Sequence, residues 1–197
     1  FIPVQNVSAL AHSGSGKREE VIVLAVQVKN TRELEKHPDA LTVIGQAIRQ
    51  TRQAYQVFEY SEGKYNFIIF PNSKNINTAL SAVRAAKILE AELSSYNRKH
   101  AVKISFSIGL HIGEMIIEMH QGKAKFTSLG NTIIAAKMAT ERTERGVVVS
   151  LPIRRLLAGQ IKGEPLPGGQ YWRVMSVSER TEHEEFINKF MGREKKS

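Results

Sequence analysis

The stretch that decides the fold begins ISFSIGLHIGE (Ile104–Glu114) and continues as FTSLGNTIIAAKMATERTERGVVVS (Phe126–Ser150). Its first part is rich in apolar and β-forming residues interrupted by glycine, which predicts strand structure. Its second part predicts a helix over Asn131–Thr143, with Gly130 before it and Gly146 after it. A short buried strand over Val147–Ser150 follows. The stretch therefore predicts strands, then a helix, then a further strand.

Periodicity places the other elements around this stretch. The nearly continuous apolar run VIVLAVQV (Val21–Val28) predicts a buried central strand. The other predicted elements are a helix from Pro38, hairpin strands Val57–Tyr60 and Tyr65–Phe70, a long helix Asn75–Asn97, strands Val102–His111 and Glu114–His120 joined near Gly113, a short helix Ile153–Leu157 and a closing strand Tyr171–Val177. This order predicts the α+β class: a ferredoxin-like β-α-β-β-α-β sheet with helices on one face, plus C-terminal strand additions.

Composition divides the chain into three parts. Residues 1–19 are predicted to be an N-terminal lead and a flexible linker, since Ala11–Glu20 is polar and rich in Gly and Ser. Residues 20–178 form the predicted domain, and residues 179–197 are a predicted amphipathic helix with a basic tail. Because the chain starts at Phe1 without a signal-like segment, we expect it to be a piece of a longer protein.

Composition also excludes several classes of protein. The chain has 197 residues, no cysteine and a net charge of +9. Disulfides and thiolate metal sites are therefore excluded, and no apolar run has the length of a bilayer span. Nucleic-acid binders concentrate basic residues and add aromatic stacking groups, whereas the basic residues here are scattered. We expect a solvated basic surface, with no nucleic-acid partner and no membrane contact by this part of the protein.

The order and spacing of several segments resemble the catalytic domain of class III adenylate/guanylate cyclases, from about Glu20 to Val177. The segments are VIVLAVQVKNTREL, GKYNFIIF, SIGLHIGE, SLGNTIIAAKM, GVVVS and IKGEPLPGGQYWRV. The GGDEF diguanylate cyclases share the expected fold but match less well at the hairpin Glu62–Asn66. The resemblance implies two divalent cations held between two aspartates, in a site formed by two domains.

The residues at the implied chemical positions differ from those of active cyclases. The two metal-binding aspartates correspond to Gln27 and Lys64, and neither an amide nor an ammonium group suits a hard divalent cation. The transition-state Asn and Arg correspond to Ile134 and Met138, which have no hydrogen-bond donor in their side chains. We therefore expect a degenerate cyclase domain that is not an enzyme on its own and that carries no cofactor.

An alternative hypothesis is a sensor for a nucleotide or another anionic ligand. The base-recognition positions of the family correspond to Tyr60 and Thr127, and a phosphate-contacting lysine corresponds to Lys162. Lys64 would replace the positive charge of a metal against a phosphate. The helix that starts near Asn131 would add its N-terminal amides.

The leading hypothesis is a dimerisation or regulatory module of a larger signalling protein. Cyclase domains pair through the faces that carry the active site, so we expect a homodimer, or a heterodimer with another cyclase-like domain, through a surface that includes Ile134 and Met138. The catalytic domain is cytoplasmic in this family, so the resemblance implies a cytoplasmic domain here. Membrane segments elsewhere in the longer protein can anchor it. An active nucleotide cyclase with atypical ligands is the least favoured alternative.

Overall fold

A computed structural model describes residues 16–71, 75–121 and 123–178. The strands are β1 (Lys17–Val28), β2 (Phe58–Glu62), β3 (Tyr65–Pro71), β4 (Phe106–His120), β5 (Lys123–Ser128), β6 (Val147–Ser150), β7 (Ile161–Pro165) and β8 (Tyr171–Val177). The helices are α1 (Thr31–Leu34), α2 (Pro38–Tyr55), α3 (Ile76–Lys99), α4 (Thr132–Glu141) and α5 (Leu151–Leu156).

All the strands belong to one mixed sheet. Its order is β2-β3-β1-β4-β6-β8-β7, and β5 pairs with β4 beside this path. The strands β1 to β4 with helices α2 and α3 form the β-α-β-β-α-β unit, with neighbouring strands antiparallel. The remaining strands extend the sheet beyond β4, beginning with the parallel pair β4 and β6. The predicted α+β class and ferredoxin-like core with C-terminal strand additions are confirmed.

The central strand β1 separates two hydrophobic cores. Its apolar side chains are fully buried, and successive residues point to opposite faces of the sheet. Ile22 and Leu24 belong to the larger core, which α2 and α3 cover. Val21 and Val23 belong to a second core on the other face. Burial on both faces explains why this strand is an almost unbroken apolar run.

Helix α3 covers the larger core because its apolar residues recur every three or four positions. Val83, Ala86 and Leu89 are fully buried on this side. The helix begins where the Asn75 side chain accepts a hydrogen bond from the Asn77 backbone N–H at 2.9 Å. This cap satisfies one of the amides that the first turn leaves unpaired.

Helix α4 lies on the opposite face of the sheet, against β4 and β1. Ala136 and Ala139 are fully buried in this contact. A methyl group at Gly109 on β4 would lie 2.7 Å from both the Ala136 carbonyl oxygen and the Thr140 backbone nitrogen. Glycine at this position therefore allows the helix to approach the sheet closely. This close approach determines where the side chains of α4 lie relative to β1 and β4.

The first strand is longer than predicted. It begins at Lys17, whereas the apolar pattern predicted a start at Val21, so the linker prediction is wrong for Lys17–Glu20. Lys17 pairs with Ile117 and Glu20 with Glu114 in the distal part of β4. The segment was missed because its side chains are polar and carry no apolar pattern, although Arg18 forms an ion pair with Glu114 of β4.

Two further predictions in this half of the chain need correction. The predicted break near Gly113 is absent, and β4 runs as one strand through it. That glycine makes room for the Thr132 side chain of α4 rather than ending the strand. The short strand β7 was not predicted, since its Gly and Pro residues are more typical of a loop.

The predicted tail helix Glu179–Met191 and most of the N-terminal lead lie outside the described residues. Among the helices that the structure describes, none is long and apolar enough to cross a membrane.

Candidate functional site

Gln27 is the centre of a buried polar network between β1, β4 and α4. Its side chain is 4% exposed. The amide oxygen lies 3.1 Å from Thr140 Oγ1 and 3.5 Å from Ser107 Oγ, and the amide nitrogen donates to Tyr65 Oη at 3.4 Å. The Ser107 hydroxyl also donates to the Thr140 carbonyl at 2.6 Å. Gln27 therefore fastens the last turn of α4 to the sheet.

Tyr65 connects this hydrogen-bond network to charged groups at the surface. Its hydroxyl donates to Glu141 Oε1 at 3.0 Å. Burial, and then the hydrogen bond to Glu141, raise the pKa of Tyr65 to about 12. On the outer side, Lys137 Nζ lies 5.1 Å from the centre of the Tyr65 ring and donates to Glu62 at 2.9 Å. The phenol thus stays neutral and links Gln27 to a surface ion pair.

Lys64 lies in the exposed turn between β2 and β3. Its backbone carbonyl accepts a hydrogen bond from the Val28 N–H at 3.0 Å, immediately after Gln27 on β1. Its ammonium group lies 5.5 Å from the centre of the Tyr65 ring. The structure therefore brings Lys64 beside Gln27, on the same end of the sheet. Within the described ranges, no three His, Asp or Glu side chains form a group that could hold a metal ion.

Ile134 and Met138 lie on the outer face of α4, one turn apart. Their exposed fractions are 58% and 40%, whereas Ala135 and Ala139 on the inner face are buried. Large apolar side chains usually avoid such exposure when they lie next to each other. The two residues form an apolar stripe that points away from the sheet; we refer to Ile134 and Met138 as the α4 stripe.

Tyr60 belongs to an aromatic cluster at the β2 edge of the sheet. Its ring stacks on Phe67 at 4.7 Å and on Phe126 of β5 at 5.7 Å between centroids. Burial raises the pKa of this phenol to about 12. Thr127 is the exposed neighbour of Phe126 on β5, and it faces the side of the strand opposite to the Phe126 ring. Asn131 is exposed at the start of α4, and its side chain makes no capping hydrogen bond.

Known proteins match this chain by structure only. No protein-family model matches the chain, and no curated protein matches its sequence. Solved structures do match it. The guanylyl cyclase Cya2 is 13% identical, with a TM-score of 0.68 over 85% of this chain and 98% of its own. The adenylyl cyclase CyaB from P. aeruginosa is 14% identical, with a TM-score of 0.61 over 84% of this chain and 98% of its own.

A third match is the non-canonical dimeric guanylyl cyclase domain of the RhoGC fusion protein from the aquatic fungus Blastocladiella emersonii. It is 14% identical, with a TM-score of 0.68 over 84% of this chain and 99% of its own. The chain has the class III cyclase fold. The predicted resemblance is thus confirmed at the level of the fold, and the cyclase-fold domain covers most of the chain.

Lys162 does not join the other predicted positions of the cyclase-fold domain. It is exposed on β7, which forms one edge of the sheet, while Tyr60 and Lys64 lie at the β2–β3 edge. The strands β1, β4, β6 and β8 stand between them. Within one chain, Lys64 and Lys162 therefore do not form a single anion site.

A large open cleft of about 1080 Å³, which no sequence pattern indicated, lies at one end of the cyclase-fold domain. It lies among the end of α3, the start of β4, the turn after α4 and strands β7 and β8. Six basic side chains line it, and we call it the basic cleft: Lys87, Arg98, Lys103, Arg142, Arg145 and Arg173. These residues are scattered along the sequence, so no local motif could have indicated the cleft.

Proposed function

We propose that this cyclase-fold domain is a non-catalytic dimerisation module, which pairs with a second copy through the α4 stripe and regulates a larger cytoplasmic signalling protein. The observation that carries the proposal is the exposure of Ile134 and Met138, at 58% and 40%. Burying two such side chains on each copy favours association by removing apolar surface from water. The RhoGC guanylyl cyclase domain, which has the same fold, is described both in a non-canonical dimeric form and in a monomeric form.

The absence of catalysis is supported by the chemistry at Gln27 and Lys64. A divalent cation prefers anionic oxygen ligands, and the Gln27 amide oxygen is neutral and already surrounded by Thr140 and Ser107. Lys64 adds a positive charge beside this position, where it would repel a cation. The residues present do not fit a two-metal site, and we derive no metal-dependent step from them.

The dimer is tested by charge substitution on the α4 stripe. We expect Ile134→Glu/Met138→Glu to raise the dissociation constant about 1000-fold, because roughly 1 kcal/mol at each of the four side chains of a symmetric interface amounts to about 4 kcal/mol. Analytical ultracentrifugation measures this change. The matched control is Ile88→Glu on α3, which is 48% exposed but on the other side of the sheet. Equal dimerisation of both variants would refute the proposed interface.

The lack of activity is tested separately. Purified protein incubated with ATP or GTP and Mg²⁺ or Mn²⁺ should form no cyclic nucleotide, and chromatography with mass detection measures the products. Product that disappears in a Lys64→Ala variant would establish an atypical active site and overturn the non-catalytic part of the proposal.

The anionic-ligand sensor is the weaker candidate. It combined Lys64 with Lys162, and these residues lie at opposite edges of the sheet. No contact of the described residues favours this site within a single chain.

A further inference from the structure

We propose that the acidic segment 179–185 of the same chain docks in the basic cleft. The segment directly follows β8, whose residues Val174 and Met175 line the cleft. The basic cleft is a surface different from the α4 stripe, so docking in it does not depend on whether the domain dimerises. It assigns the cleft an occupant of defined chemistry: an acidic peptide segment supplied by the chain itself.

The charges in the cleft favour an anionic occupant. Two of its basic residues have acidic partners within it: Lys87 pairs with Glu90, and Arg173 donates to Glu164 at 2.9 Å. Arg98 and Arg145 are exposed, and neither has an acidic partner among the residues that the structure describes. Their guanidinium groups remain available for carboxylates, which they can bind through paired hydrogen bonds.

The acid groups on the walls of the cleft do not cancel this charge. Glu144 pairs with Lys29 at 3.4 Å. Glu141 accepts a hydrogen bond from the neutral Tyr65 phenol and keeps its negative charge, but this single carboxylate faces four cations that have no acidic partner in the described part of the chain: Arg98, Lys103, Arg142 and Arg145. Arg142 also faces the cleft, with its guanidinium 5.3 Å from the centre of the Tyr171 ring. The balance of charge that is not already paired is therefore positive.

Segment 179–185 complements this charge. It reads ERTEHEE and holds four glutamates and one arginine, in a chain whose net charge is +9. The apolar residues Phe186 and Ile187 follow it directly. Met175 at the wall of the cleft is 62% exposed, so an apolar surface lies beside the cations. The segment and the residues after it thus supply both carboxylates and apolar groups, and the cleft presents both cations and an apolar side chain.

The chain after β8 is long enough for segment 179–185 to reach the basic cleft. Strand β8 ends at Val177, and the Ser178 N–H donates to the Gln160 carbonyl at 2.7 Å, which fixes the point where the segment leaves the sheet. The seven peptide steps from Met175 to Glu182 span at most about 25 Å. A tether of this length keeps the segment near the cleft at an effective concentration in the millimolar range, so weak charge contacts suffice for docking.

Disulfide trapping in the full chain tests the docking, because the protein has no cysteine of its own. The test variant is Thr181→Cys/Ser105→Cys, in which the second cysteine lies on the exposed wall of the cleft. The control is Thr181→Cys/Ser61→Cys, in which it lies on β2 at the far edge of the sheet. We expect the intramolecular bond to form about tenfold faster in the test variant under a mild oxidant.

Charge reversal shows whether the basic side chains cause the trapping. Arg98→Glu/Arg142→Glu/Arg145→Glu should slow the test variant to the control rate. Adding Glu182→Lys, Glu184→Lys and Glu185→Lys to this protein should restore the fast rate. Circular dichroism checks that the variants fold, which we expect because the three arginines are exposed. Equal rates in the two cysteine pairs, no effect of charge reversal, or a disulfide-linked dimer in place of the intramolecular bond would each overturn the proposal.

Discussion

The close approach of α4 to the sheet makes Gly109→Ala the most informative single substitution. The added methyl group would meet three atoms of α4 at 2.7 Å, where ordinary contact begins at 3.4 Å. Two of these atoms belong to the helix backbone, so no side chain can rotate away. The helix must retreat by about 0.7 Å, and such overpacking costs about 1–3 kcal/mol. Alanine also restricts the unfolded chain, which offsets about 0.4–1 kcal/mol of this loss.

We therefore expect Gly109→Ala to lower the free energy of unfolding by about 1–2 kcal/mol, which corresponds to roughly 2–8 °C in Tm for a domain of this size. Urea titration and thermal melting followed by circular dichroism measure the change. Gly45→Ala on α2 is the control, since its added methyl would meet only the flexible Arg49 side chain. There alanine should stabilise the helix by about 0.5–1 kcal/mol. A Gly109→Ala protein as stable as the parent would refute the close-packing argument.

Two other predictions concern the polar and aromatic groups near α4. Gln27→Leu should lower the free energy of unfolding by about 0.5–1.5 kcal/mol, because Thr140 and Tyr65 each lose one hydrogen bond and keep another, to Lys137 and to Glu141. Urea titration measures the change, and an unchanged midpoint would contradict the structural role of the amide. Since the pKa of Tyr60 is raised from 10.0 to about 12, the folded state favours the neutral phenol, and the resulting stability is lost as the pH rises through this interval. Tyr60→Phe should therefore lose less stability between these pH values, and parallel curves for the two proteins would argue against it.

The sequence predicted those elements that bury a continuous apolar surface. Val21–Val28 could be assigned to a central strand, because burial on both faces requires apolar residues throughout. Helix α3 could be assigned from the spacing of its buried residues. The polar start of β1 and the short strand β7 were missed for the opposite reason, since backbone pairing holds them and their side chains carry no apolar pattern.

The residues of the candidate site could be predicted from the sequence, but the groups that contact them could not. The resemblance selected Gln27 and Lys64, and the structure brings them to the same end of the sheet. It gave no indication that Thr140 would contact the amide, because that contact depends on the closeness of α4 at Gly109. The basic cleft could not be predicted, since its cations come from several elements that meet only after folding.

The central position of β1 has a consequence for the order in which the protein can fold during synthesis. This strand leaves the ribosome before both of its neighbours, β3 and β4, and Val28 pairs with Phe106. At about 5–20 residues per second, the roughly 80 residues between these partners take on the order of 4–16 s to add. Throughout that interval, an apolar strand that is buried on both faces in the finished domain has no completed sheet to enter. The nascent chain therefore keeps part of this apolar surface uncovered until β4 has emerged.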